Sequence, residues 1–197
     1  MSGSPPRSCG SCGLCCKVMG IDELDKPAGV WCPHFKAGAG CRIHGEHPPS
    51  CRAFQCMWLI SPTMPDRVRP DRCKVVLTLE DGGANIIARV DPSDPGAWRR
   101  EPIHSQLRRW AADSWFKDRT IWAVVGRRTW LIAPDRDIEL GEMDVHSYTT
   151  YQQAPDGTIT VTVLPPHAES RSHDPTAVQS ALDAGEGRRF VIPPPAR

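Results

Sequence analysis

The chain has 197 residues, 40% of them apolar and 24% charged, with 24 Lys and Arg against 23 Asp and Glu for a formal net charge of +1. That balance supplies no electrostatic drive toward nucleic acid or a membrane surface, so neither is expected as a partner. The length fits one domain, or a small domain fused to a second of about 100 residues.

Residues 1–8 form a short polar lead-in that is expected to be disordered. Met1 to Arg7 holds no apolar run of signal-peptide length, and no stretch approaches the ~18 apolar residues of a membrane helix. The expectation is a cytoplasmic protein without a membrane association. In that reducing compartment dense cysteines read as metal ligands or redox thiols before disulfides. The nine cysteines are also an odd number, which fits complete pairing poorly.

Residues 9–60 are predicted to be an irregular cysteine-rich domain. Gly10, Gly13, Gly20, Gly29, Gly38, Gly40 and Gly45 punctuate them, with Pro27, Pro33, Pro48 and Pro49. Such a segment buries too little apolar surface to offset its ordering entropy. A metal held by cysteines distant in sequence would supply the missing free energy. One short helix is expected from Pro49 to about Ile60, with Ser50 as its N-cap.

Residues 61–73 read as a Pro-rich linker, after which the character changes. Lys74–Glu80 and Ala84–Val90 are β-rich runs flanking Asp81-Gly82-Gly83, a strong hairpin signal. Glu101 to about Phe116 is amphipathic, with Ile103, Leu107, Trp110, Ala111 and Trp115 near one face. Thr120–Val125 and Thr129–Ala133 make a second hairpin, Ile138–Leu140 a short strand, and His146–Gln153 with Thr158–Leu164 a third hairpin. The expected class is α+β: an irregular metal-binding lobe, then over residues 74–164 an antiparallel sheet with one covering helix. Residues 165–197 are expected to be mostly disordered apart from a weak helix at Thr176–Ala184.

The chemistry lies in the cysteines. Cys9, Cys12, Cys15 and Cys16 fall within eight residues; Cys32, Cys41, Cys51 and Cys56 follow, with Cys73 just beyond. Thiolates are soft ligands that suit zinc, Cu(I) and iron–sulfur clusters. Cys9-x2-Cys12-x2-Cys15 repeats the first three ligands of a bacterial ferredoxin run, although the x3-Cys-Pro ending is missing. Eight cysteines could equally fill two tetrahedral zinc sites, or a cluster with bridging thiolates. Adjacent Cys15 and Cys16 side chains tend to point apart, which favours two centres or leaves one of the pair beside the metal. His34, His44 and His47 could replace a cysteine in either scheme. The cofactor is therefore an iron–sulfur cluster or zinc. The glycines after Cys9 and Cys12 permit positive φ and leave amides free to face sulfur. Eight thiolates need compensating cations, and Lys17, Lys26, Lys36, Arg42, Arg52 and Lys74 are nearby.

Three further runs extend this pattern: Lys26-Pro27-Ala28-Gly29-Val30-Trp31-Cys32, then Gly40-Cys41-Arg42-Ile43, then His47-Pro48-x2-Cys51-Arg52-x-Phe54-x-Cys56-x-Trp58-Leu59. Together with Cys9-x2-Cys12-x2-Cys15-Cys16, they resemble the CxxCxxCC cysteine-cluster proteins, the zinc- or iron-chelating domains of YkgJ type. The resemblance covers residues 9–60. It implies that Cys9, Cys12, Cys15, Cys16, Cys32, Cys41, Cys51 and Cys56 are the metal-site cysteines. Relatives of that family include a flagellin lysine N-methylase, so group transfer to a protein is one enzymatic alternative and an oxidoreductase another. Where the family commonly has Arg-Pro-x2-Cys this chain has His47-Pro48-x2-Cys51, which makes one cation beside the site titratable. Cys73 lies outside the pattern and reads as a buried thiol or one adjoining the ligands.

Other motifs carry less. Arg99-Arg100 and Arg108-Arg109 with Trp98, Trp110 and Trp115 could make a base-stacking face, or simply place Trp in a core and Arg in water. Asp135, Asp137, Glu139 and Glu142 could bind a hard cation or form a solvated loop. Signatures of nucleotide binding, serine hydrolysis and zinc proteolysis are missing. The sequence thus points to a metal-binding protein with a redox or sensing role. Its alternatives are a metal-dependent enzyme and a zinc-stabilised module that docks a protein.

Overall fold

The structure is a computed structural model that describes residues 7–115, 119–143, 147–165 and 175–195. Most of the expected lead-in, the helix end at Phe116, the start of the third hairpin at His146 and part of the expected disordered tail lie outside those residues.

The fold is α+β, with ten strands in three sheets among the described residues. The chain divides into two compact units, Met1–Gly126 with Trp130–Ile138, and Arg127–Thr129 with Glu139–Arg197. The first unit begins with short elements: α1 (Cys15–Val18), β1 (Phe35–Lys36), β2 (Gly40–Cys41), α2 (Pro49–Ala53), α3 (Met57–Ile60) and α4 (Pro70–Cys73). The expected helix over Pro49–Ile60 is thus two helices, broken where Phe54 and Cys56 take extended backbone conformations. Ser50 is not the cap; its amide instead donates to the Glu23 carboxylate at 3.1 Å, which satisfies a free N–H in the first turn of α2.

The main sheet runs β3-β4-β5-β6-β7, with β3 Val75–Glu80, β4 Asn85–Val90, β5 Thr120–Val125, β6 Arg128–Ile132 and β7 Asp137–Glu142. Strands β3 and β4 form the expected hairpin, with Glu80 opposite Asn85 and Asp81, Gly82 and Gly83 all at positive φ. One pairing departs from the antiparallel expectation: β4 and β5 are parallel, Ala88 opposite Ala123. The crossover between them carries helix α5 (Ile103–Ser114), which returns the chain to the same end of the sheet.

Helix α5 buries Ile103, Leu107 and Ala111 in one apolar cluster with Ile86, Ala88, Ile121, Ala123 and Trp98. Trp58, Met64 and Val68 belong to the same cluster, so the Pro-rich stretch and the helix before it share a core with the sheet. A second cluster joins Leu14 and Val18 of the cysteine-rich segment to Val76 of β3.

The second unit contains β8 (Tyr148–Gln153), β9 (Ile159–Leu164), α6 (Pro175–Asp183) and β10 (Arg188–Ile192), with strand order β10-β9-β8. Among the described residues of the expected tail, the helix forms and Arg188–Ile192 adds an antiparallel strand to β9. The pairing buries Ile192 and uses the backbone groups that a two-stranded hairpin leaves open on β9. Among the described residues no helix is long and apolar enough to cross a membrane.

Candidate metal centre

All nine cysteines are free thiols. Two turns, a loop and a ribbon gather six of them. The turn at Cys9 to Cys12 closes with the Cys12 amide donating to the Cys9 carbonyl at 2.9 Å, and a second turn runs from the Cys16 amide to the Gly13 carbonyl at 2.9 Å. The Cys32 amide donates to the Cys16 carbonyl at 2.9 Å, which lays the Trp31–His34 loop against α1. The β1–β2 ribbon places Cys41 opposite Phe35.

Two glycines permit this close approach. A Cβ on Gly13 would stand 1.9 Å from the Phe35 ring, and one on Gly40 would stand 2.3 Å from the Gly10 carbonyl. Gly10 takes the expected positive φ, at +49°; Gly13 is not among the positive-φ residues, and its role is to make room.

Cys9, Cys12, Cys15, Cys16, Cys32, Cys41 and Cys51 line one cavity of ≈ 180 Å³, together with His34, His44 and His47. Cys56 lines a second cavity of ≈ 30 Å³, with Cys9, Cys12 and Cys15. All eight cysteines of the sequence pattern thus border two cavities that share three of them. Cys73 lines neither; its Sγ donates to the Val68 and Val75 carbonyls at 3.4 and 3.3 Å, and burial pushes its pKa up to about 11.

The sulfurs lie within electrostatic reach of one another. Burial raises the Cys9 thiol pKa, and the charges of Cys56, Cys12 and Cys16 add to the effect against Arg69. Burial also raises Cys51 and Cys56, with Cys16 and Cys32 acting on the first and Cys12 on the second. Cys15 and Cys16 do not point apart. The Cys15 thiol donates to the Cys16 sulfur, which drives the Cys15 pKa upward and holds Cys16 at about 7. Placing both on the first turn of α1, just after a tight turn, lets the neighbouring sulfurs meet.

Two buried lysines underlie the cluster. The Lys17 ammonium donates to Asp91 at 2.6 Å and Ser93 at 2.5 Å, pinning α1 to the loop after β4. Lys26 donates to the Lys17 and Met19 carbonyls, and its charge is felt by Cys32, Cys16, Cys15 and Cys51. Lys36, Arg42 and Arg52 are exposed. Arg69 was not among the expected cations, because its position beside Cys9 depends on the fold of residues 61–73. Its guanidinium lies 5.6 Å from the Trp58 ring centre, and that of Arg7 lies 4.7 Å away.

Among the described residues, no group of three or more His, Cys, Asp or Glu side chains is arranged to hold a metal ion. What the structure provides is a set of free sulfurs around shared cavities, with cations beside them. The donor chemistry fits a thiophilic metal. One orphan fits as well: the buried indole N–H of Trp58, beside the small cavity, has no hydrogen-bond partner among the described residues.

The remaining candidates resolve into ordinary structure. Asp137 accepts from His104 and Arg108 at 3.1 and 3.0 Å and pairs with Arg99 at 3.6 Å. Asp135 pairs with Arg136, Glu139 with Arg128, and Glu142 with Arg127. Arg99 lies 4.0 Å above Trp98, which is fully buried and presents no face for a base. Compared with known proteins, the chain matches no family model, no curated protein and no solved structure.

Proposed function

We propose that this is a metal-binding protein in which Cys9, Cys12, Cys15, Cys16, Cys32, Cys41, Cys51 and Cys56 hold zinc or an iron–sulfur cluster. The observation that carries the reading is that all eight border two adjoining cavities although they span 48 positions of sequence, residues 9 to 56. Free sulfurs this close repel one another as thiolates, and a cation among them removes that cost. Metal capture and local folding are coupled in such sites, so the final ligand geometry forms as the metal binds. When bound, the metal gives residues 9–60 the cross-links that their few apolar contacts do not; an iron–sulfur cluster would add electron transfer or redox sensing.

The protein's own groups have separate tasks. Lys26 and Arg69 offset thiolate charge from opposite parts of the cluster, and Lys17 anchors α1 to the sheet. The resemblance to the CxxCxxCC chelating domains points the same way. Nine free thiols suit a reducing compartment, and we assign the protein to the cytoplasm on that ground. Cys12→Ser tests the reading, since Cys12 borders both cavities. The variant is expected to hold less metal than wild type and to lose amide protection around Cys12; retention of full metal content with unchanged protection would refute it.

A further inference from the structure

The two cavities differ in their sulfurs and in their size. The small cavity is bordered by four of the eight cysteines, the number used by a tetrahedral all-thiolate site. If it takes those four, the remaining Cys16, Cys32, Cys41 and Cys51 all border the large cavity, and none of them borders the small one. No other division gives each cavity four sulfurs without sharing. Adjacent cysteines then separate by cavity rather than by side-chain direction, because the Cys15 and Cys16 sulfurs touch.

We propose that the cluster comprises two neighbouring metal centres of unequal size: a tight one at Cys9, Cys12, Cys15 and Cys56, and a roomier, exchangeable one at Cys16, Cys32, Cys41 and Cys51. This rests on the metal-binding reading above and divides its ligands. The smaller cavity, ≈ 30 Å³, has room for an ion and little more. The indole of Trp58 borders it with a buried N–H free to face sulfur, and Arg69 is the cation beside Cys9. The larger cavity, ≈ 180 Å³, has room beside its metal for a small ligand from solution. His34, His44 and His47 line it, and His44 and His47 stack at 5.0 Å. Closed thiolate sites serve structure, whereas sites with an open position admit exchange. Metal entry and departure, or attack by a small thiol or other soft anion, therefore belong to the Cys51 side.

The test is an EDTA titration of the anaerobically purified full chain, reading bound metal over time by elemental analysis. Wild type is expected to lose metal in two phases. Cys51→Ser should lack the fast phase and Cys56→Ser the slow phase, each variant keeping the portion the other loses. A single phase in wild type overturns the division without needing any variant to fold. So does complete metal loss in either single variant that retains its native circular dichroism. Wild-type protein that carries no metal at all overturns the metal-binding reading itself, and the division with it.

Discussion

Cys16 and Cys73 show how one side-chain type takes opposite chemical characters in this molecule. Cys16 accepts a hydrogen bond from Cys15, which outweighs burial and, with Lys26, brings its pKa to about 7. Cys73 is desolvated in the main core and stays protonated up to about pH 11. In metal-free protein at pH 7.5, iodoacetamide should therefore modify Cys16 well before Cys73, by at least about 100-fold in rate, since the thiolate is the nucleophile. Peptide mass spectrometry after timed quenching measures this, and equal rates would contradict the assigned environments. The eight ligand candidates were legible in the sequence as types and spacing. The Cys15–Cys16 contact was not, because the generic tendency of adjacent side chains to diverge is overridden by the turn at Gly13 and the first turn of α1.

At the scale of elements, α1 matters more than its four residues suggest. It carries two sulfurs on one side and, through Lys17, a buried ion pair with Asp91 on the other. Burial would raise the Asp91 carboxyl pKa, but the bonds from Lys17 and Ser93 outweigh it and hold it below the usual aspartate value. A lowered folded pKa means the pair's contribution is complete above the unfolded aspartate value of about 3.9 and is lost as pH falls through the folded one. Asp91→Asn leaves the Lys17 charge buried and unpaired, and should cost about 3–5 kcal/mol at pH 7. Denaturant melts should show the difference in stability between the two proteins shrinking as pH falls below the unfolded aspartate value of about 3.9; a difference that does not depend on pH in the acid range would argue against the pair.

Hairpin β3–β4 and helix α5 were legible because Asp81-Gly82-Gly83 and the spacing of Ile103, Leu107 and Ala111 are local signals. The parallel pairing of β4 with β5 was not. Period-2 patterning identifies a strand without giving the direction of its neighbour, and the crossover through α5 sets that direction. Strand β10 escaped for a related reason. Phe190-Val191-Ile192 is a short apolar run in a Pro- and Gly-rich tail, and its partner on β9 lies 25 or more residues earlier in sequence.

At the scale of the whole molecule, the cysteine-rich segment lies in the first unit together with strands β3, β4 and β5. Leu14 and Val18 pack with Val76, and Trp58 enters the core built on α5 and the sheet. The sheet thus has an apolar core of its own, whereas the cysteine loops depend on a few backbone bonds, two close glycine contacts and, on this account, bound metal. Sequence composition anticipated that dependence through the Gly and Pro content of residues 9–60. It could not place the two cavities, which arise only when the Cys32 loop, the β1–β2 ribbon and α3 are brought around α1.

The central claim is that eight cysteines bind metal, and the most direct measurement is elemental analysis with a visible spectrum on protein purified without oxygen. Stoichiometric metal is expected: either about two zinc per chain in colourless protein, or iron with sulfide and a broad absorption band near about 400 nm, where iron–sulfur clusters absorb. Metal-free, colourless protein in which all nine thiols titrate at once with a thiol reagent would contradict it.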